Sequence, residues 1–151
     1  MARLLIVHHT PSPACQDLLD AVVTGARDPA IDGVEVVVRP ALSTTATDVL
    51  DADGYLLGTP ANLGYMAGAL KHFFDQVYYP VLDATGGRPY GLYVHGNLDV
   101  EGAVLSVEKV VTGLRWRRAQ PVLTVVGAPT TDGLAAATEL GASLAAGLIS
   151  G

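Results

Sequence analysis

Five short apolar segments alternate along the chain with segments of helical spacing. Each is nearly continuous and rich in Val, Leu, Ile or Tyr, which is typical of strands that helices cover on both faces. A helical pattern follows each of them, so the sequence predicts right-handed crossovers and a doubly wound parallel sheet. The five predicted strands are residues 4–8, 34–38, 54–58, 90–95 and 121–126.

Apolar residues spaced three and four apart predict the helices between these strands. The segment 43–50 is the weakest, and we expect only one or two turns there because its β-branched threonines are poor helix formers. The other four helical patterns begin at Cys15, Met66, Val104 and Leu134.

Composition and charge indicate which binding partners and which cellular compartment to expect. The 151-residue chain has a formal net charge of −6, and its one cluster of basic residues is R-W-R-R at 115–118. An acidic domain repels nucleic acid and anionic membranes, so we expect neither as a partner. No apolar run approaches the ~20 residues that span a membrane, and the single Cys15 excludes an internal disulfide. We therefore expect one cytoplasmic domain spanning residues 1–151.

Ligands of doubly wound sheets bind outside the carboxyl ends of the strands, where the winding reverses. After the first strand, Ser12 suits a helix N-cap and Pro13 the first helical position. Free backbone N–H groups would then point outward beside the hydroxyls of Thr10 and Ser12 and could cradle an anion without Lys or Arg. A capped helix with no ligand is the alternative, and both interpretations stay open on the residues alone.

The loops after the third and fourth strands contain turn-forming and hydrogen-bonding residues. Pro60 and Gly64 turn the first of these loops, and Tyr65 offers a flat face. After the fourth strand, Gly96 allows close approach of a ligand to the backbone. His95 either stacks, donates a hydrogen bond or simply ends the strand. Neither G-x-x-x-x-G-K-[ST] nor G-x-G-x-x-G occurs, so the phosphate loop of nucleotide triphosphatases and the dinucleotide fingerprint are both absent.

Two stretches carry a resemblance to a known family. Residues 10–15, T-P-S-P-A-C, resemble the phosphate loop of flavodoxins. Residues 58–66, G-T-P-A-N-L-G-Y-M, are similar to the G-[ST]-P-x-x-x-G-x-M stretch of the flavodoxin-like reductases, which include NADPH-dependent FMN reductases and FMN quinone reductases. The resemblance covers nearly the whole chain. It implies an α/β, flavodoxin-like, doubly wound five-stranded parallel sheet of order 2-1-3-4-5, with FMN as cofactor.

The resemblance also implies which residues hold FMN. The phosphate would lie on the first loop, and the isoalloxazine ring between the other two, with Tyr65 or His95 as ring partner. No side chain is assigned as a catalytic acid or base, and no metal ligand is predicted. The implied cofactor-binding residues are Thr10, Pro11, Ser12, Ala14, Cys15, Pro60, Ala61, Asn62, Leu63, Gly64, Tyr65, His95, Gly96, Asn97 and Asp99.

Three functions remain open at this point. The first is an NAD(P)H-dependent FMN oxidoreductase that reduces a flavin, quinone or similar acceptor. The second is a flavodoxin-type electron carrier that docks to redox partners, and the third is a flavodoxin-fold binding domain without flavin. A homodimer built around residues 78–80 is a further prediction. A response-regulator receiver is excluded, because its acidic positions are taken by His-His at 8–9 and Gly-Thr at 58–59.

Overall fold

A computed structural model describes residues 1–150 as alternating strands and helices. The strands are β1 (Ala2–His8), β2 (Val34–Pro40), β3 (Gly54–Asn62), β4 (Tyr65–Met66), β5 (Pro89–Gly96), β6 (Arg117–Arg118) and β7 (Leu123–Val126). The helices are α1 (Pro13–Ala26), α2 (Ala46–Asp51), α3 (Gly68–Val81), α4 (Glu101–Leu114) and α5 (Thr131–Ser150), with a 3-10 turn at Ala41–Ser43.

The sheet is doubly wound and parallel along its main path, as predicted, but the count of five strands is wrong. β2, β1, β3, β5 and β6 follow one another in this order, while β4 pairs antiparallel with β3 and β7 pairs parallel with β5. The edge expected to hold one fifth strand holds two short ones. β6 pairs with the start of β5 and β7 with its end. Pro121 lies in the interruption between them, where its missing N–H leaves no donor for strand pairing.

The third strand is longer than predicted and turns back on itself. β3 runs on to Asn62, and the expected loop is a hairpin in which Asn62 pairs with Tyr65. The connecting residues Leu63 and Gly64 have φ of 52° and 73°. Positive φ at both positions of a two-residue turn matches the right-handed twist of the strands. The strand-to-helix connection is therefore a rigid hairpin.

Successive side chains of each strand face two separate cores. Leu5 and Val7 pack with α2, α3 and α4, whereas Leu4 and Ile6 pack with α1 and α5. The first core also contains the basic cluster's Trp116, whose ring stacks on Tyr55 with centroids 4.0 Å apart. The arginines around it remain exposed.

Helix α5 bears on the expectation that no apolar segment of the chain is long enough to span a membrane. Among the described helices it is long and apolar enough to cross a membrane by length and composition, which is weak evidence because core helices of soluble proteins pass the same test. In the structure it packs against α1, and Gly141 leaves so little room that a Cβ there would lie 3.0 Å from the backbone nitrogen of Ala26.

Candidate functional site

A cleft of about 320 Å³ opens at the carboxyl edge of the sheet. It is bounded by the loops that follow β1, β3, β5 and β7, so three predicted loops and one unpredicted loop meet there. Nine of the residues that line it are among the fifteen predicted, and Pro13, Gly127 and Ala128 are additional. The full lining is Pro11, Ser12, Pro13, Ala14, Pro60, Ala61, Asn62, His95, Gly96, Asn97, Gly127 and Ala128.

The sequence patterns did not predict that the loop after β7 lines this cleft. Gly127 N–H donates to Gly96 O at 2.8 Å, and Gly127 O lies 2.8 Å from His95 Nε2. A carbonyl only accepts, so His95 Nε2 is the donor. These two bonds hold the loops after β5 and β7 together as one wall. Gly-Ala-Pro at 127–129 follows the fifth predicted strand. Because parallel strands end at the same edge of a sheet, this segment could have been predicted to lie beside the other loops of the cleft.

The first loop presents unpaired donors to the cleft. Ser12 caps α1, and its Oγ accepts from Cys15 N–H at 3.2 Å. Within residues 1–150, the backbone N–H groups of Thr10, Ser12 and Ala14 have no hydrogen-bond acceptor. Together with the positive end of the α1 dipole, three free N–H groups favour an anion. No Lys or Arg lines the cleft.

Three predicted residues near these loops have roles inside the fold. Cys15 is 2 % exposed, and burial raises the pKa of its thiol. Its backbone N–H is already bound to Ser12. Asp99 Oδ1 accepts from the N–H of Glu101, the first residue of α4, at 3.0 Å. Thr10 is half-buried, and its Oγ1 lies 2.7 Å from His8 Nδ1.

The three predicted residues of the hairpin tip do not line the cleft. Leu63 and Gly64 form its exposed turn, and Leu63 is fully solvent-exposed. Tyr65 faces away from the cleft into a groove of about 420 Å³ that it forms with the outer side of α4, near Leu105 and Lys109. The hairpin is tied to α4 by Met66 N–H, which donates to the buried Ser106 Oγ at 3.0 Å.

Two exposed leucines are next in sequence to residues that line the cleft. Leu63 follows the lining residue Asn62, and Leu98, which is 92 % exposed, follows the lining residue Asn97. The cleft therefore has free N–H donors on its first loop, and two of its other loops continue into exposed apolar residues.

Solved structures with the same fold include flavodoxins. A flavodoxin from the domain Archaea superposes with a TM-score of 0.80 at 15 % identity, over 97 % of this chain and 98 % of that one. A flavodoxin from Streptococcus pneumoniae TIGR4 superposes with a TM-score of 0.79 at 19 % identity, over 97 % and 99 %. The chain therefore has the flavodoxin-like α/β fold.

Sequence comparison points in the same direction over part of the chain. A flavodoxin of Aquifex aeolicus (strain VF5) is 34 % identical over 77 residues, which are 51 % of this chain and 40 % of that protein. No protein-family model matches the chain. The match thus reaches less than half of the relative's length.

Proposed function

We propose that this protein binds FMN in the four-loop cleft and acts as a flavodoxin-type redox protein that passes electrons to a partner. The observation that carries the proposal is the convergence of four strand-end loops on one cleft, with three free backbone N–H groups on the first loop. When bound, FMN supplies one- and two-electron redox chemistry, and the protein positions it.

The first loop suits the phosphate group of FMN. Thr10, Ser12 and Ala14 offer N–H groups at alternate positions, and phosphate oxygens only accept hydrogen bonds. Pro11 and Pro13 have no N–H, so the donors are fewer than in a loop without proline. The two prolines instead restrict the backbone, which reduces the entropy lost when the loop is ordered around an anion.

The mouth of the cleft suits the flat ring. We assign Leu63 and Leu98 as the apolar faces beside the isoalloxazine, in place of Tyr65, whose side chain lies in the groove against α4. His95 is held by Gly127 O and forms part of the cleft wall. A ring at the mouth would keep one edge exposed, which suits electron transfer to a docked partner. The net charge of −6 favours a partner with a basic surface.

A second candidate is an NAD(P)H-dependent oxidoreductase that reduces a flavin, quinone or similar acceptor. The groove of about 420 Å³ beside the hairpin favours it, because Tyr65 offers a flat face and Lys109 a positive charge on the α4 side of the hairpin. A nicotinamide dinucleotide would need both features.

Fluorescence titration with FMN and with riboflavin tests the proposal. Wild-type protein is expected to quench FMN fluorescence at a one-to-one ratio. Leu63→Ser and Leu98→Ser should each weaken the binding of both flavins about tenfold, since burying a leucine contributes about 1.5–3 kcal/mol. Leu42→Ser is the matched control, because Leu42 is 63 % exposed but lies in the 3-10 turn away from the cleft.

The outcomes separate the three functions. Absence of quenching at any FMN concentration would favour a flavodoxin-fold binding domain without flavin. If FMN binds, rapid mixing with NADPH or NADH distinguishes the other two. Bleaching of the flavin absorbance at a catalytically useful rate indicates the reductase, and an unchanged spectrum indicates the carrier.

A further inference from the structure

Two neighbouring hollows form one groove along the open edge of the sheet. Their volumes are about 240 and 170 Å³, and Gln120 and Ser143 line both of them. One wall is the segment that leads from β6 into β7, and the other is the outer side of α5. We call this surface the edge groove. One end contains Arg117 and Gly147, and from there the groove follows α5 for about 17 Å to Ala136.

Nothing within residues 1–150 covers this side of the molecule. The short strands β6 and β7 pair with β5 alone, so no strand lies on their outer side. From Leu140 to Ser150, helix α5 contains no charged residue. Only 28 % of the 18-residue stretch that makes this helix apolar is buried. A contiguous apolar surface with polar residues around it is typical of an interaction site.

The edge groove does not suit a strand added to the sheet. β6 has two residues and β7 has four, and Pro121 between them has no N–H to donate. Short edge strands, prolines and exposed charges are the features that prevent pairing between sheet edges. A partner therefore has to pack its side chains against α5 and residues 119–123, as a helix laid in a groove does.

The two charged residues of the edge groove are opposite in sign and lie in different hollows. Arg117 lines the one that contains Gly147, and Glu139 lines the other. Both are exposed, and neither forms an ion pair within residues 1–150. The groove is therefore neutral, although the chain has a net charge of −6. A neutral surface is where two acidic chains can approach with the least repulsion.

The spacing of these charges along α5 makes the groove complementary to itself. Ser143 lies at its centre, and Glu139 and Gly147 each lie about one helical turn from Ser143, in opposite directions. A two-fold axis at Ser143 would place Glu139 of one copy beside Gly147 of the other. Arg117 lines the hollow that contains Gly147, so each copy's Arg117 would meet the other copy's Glu139. Interfaces in which both copies use the same patch have this antiparallel arrangement.

We infer that a second copy of this chain docks antiparallel in the edge groove, with two Arg117–Glu139 ion pairs fixing its orientation. Thirteen residues line the groove, fewer than the ~20–30 a side of a standard interface. We therefore expect a weak dimer, with a Kd of about 1–100 μM. No residue of the FMN cleft lines the groove, so both clefts stay open and the inference does not rest on FMN binding.

Sedimentation equilibrium of the full chain measures the association. At an ionic strength of about 0.15 M, repulsion between the two acidic chains is screened beyond about 8 Å. The wild-type mass should rise from 15.6 kDa toward twice that value as the concentration increases. A chain that remains monomeric at about 1 mM, far above the expected Kd, would overturn the inference. So would a monomer that co-sediments with phosphatidylcholine vesicles, because the apolar side of α5 would then serve a membrane.

Charge reversal identifies the pairing. Arg117→Glu and Glu139→Arg each bring like charges together at two places in a homodimer, so each should weaken association at least about tenfold. An equimolar mixture of the two variants should recover the dimer, because both contacts of the mixed pair again join opposite charges. Arg118→Glu is the matched control, since Arg118 Nη1 lies 3.9 Å from Glu108 of α4 and Arg118 does not line the groove.

Two further results would refute this interface. The first is a pair of folded charge-reversal variants, with wild-type urea midpoints, that do not associate when mixed. The second is a dimer that survives Arg117→Glu but is lost on Tyr79→Glu, which would place the contact at residues 78–80, where Tyr79 is 81 % exposed. Arg117→Glu should bind FMN like the wild type. Failure of the wild-type protein to bind FMN would refute the proposed function and leave the sedimentation result unaffected.

Discussion

Replacing Gly102 with alanine tests whether the hairpin is held rigidly against α4. A Cβ at this position would overlap Gly64 O and lie 2.9 Å from the Gly64 carbonyl carbon, both of which are backbone atoms that cannot rotate away. Overpacking of this kind costs about 1–3 kcal/mol. Alanine would gain up to ~1 kcal/mol in helix propensity over glycine. We expect a net loss of about 1–2 kcal/mol in the free energy of unfolding.

The same substitution should also move the mouth of the cleft. Relief of the overlap requires the turn that contains Leu63 to shift by about 1 Å, a displacement large enough to weaken a positioned ligand site. Urea denaturation measures the stability, and FMN titration measures the site. Gly147→Ala is the matched control, because Gly147 is also in a helix but has no atom within 4 Å of the added Cβ.

The control should be stabilised by about 0.4–1 kcal/mol with unchanged flavin binding. We therefore expect the two glycine-to-alanine substitutions to change the free energy of unfolding in opposite directions. If Gly102→Ala matched Gly147→Ala in both stability and FMN affinity, the contact between α4 and the hairpin would not be the constraint described here.

Three further predictions concern a helix cap, a half-buried arginine donor and the pH dependence of stability. Ser12→Ala should lower the free energy of unfolding by about 1 kcal/mol through loss of the α1 N-cap, measured in urea against Ser43→Ala as an exposed control. Arg88→Met should cost about 1–3 kcal/mol, because Arg88 Nη1 donates to the carbonyls of Ala52 at 2.8 Å and Leu50 at 3.0 Å; an unchanged urea midpoint would contradict this. The pKa of His8 is lower in the folded state, so neutral His8 stabilises the fold above about pH 6.5, and this contribution is lost as pH falls through the folded pKa. His8→Asn should therefore lose less stability than wild type between about pH 7.5 and 5, and parallel pH profiles would count against the assignment.

Much of the site was predictable because its loops follow strands whose apolar runs are local signals. Ser12 was correctly predicted as the cap of α1, and Pro60 and Gly96 were correctly placed at the ends of neighbouring strands. Other details depended on side-chain direction, which the pattern does not contain. Tyr65 was expected beside the ring, but the hairpin turns its side chain toward α4. Leucine at position 63 carries no signal for the positive φ that the turn requires, since asparagine or glycine is usual there.

Spacing between near neighbours in the chain was enough to predict the alternation of the main strands with helices and which of their residues face a core, but not the short strands β4, β6 and β7. Which distant residues meet follows only from how the strands pair in the folded protein. The contact of Gly127 with His95 depends on β7 pairing with β5, and the register of β1, β3 and β5 makes His8, Gly58 and Tyr93 neighbours across the sheet. Register is set by packing on both faces of the sheet at once, and no local pattern specifies it.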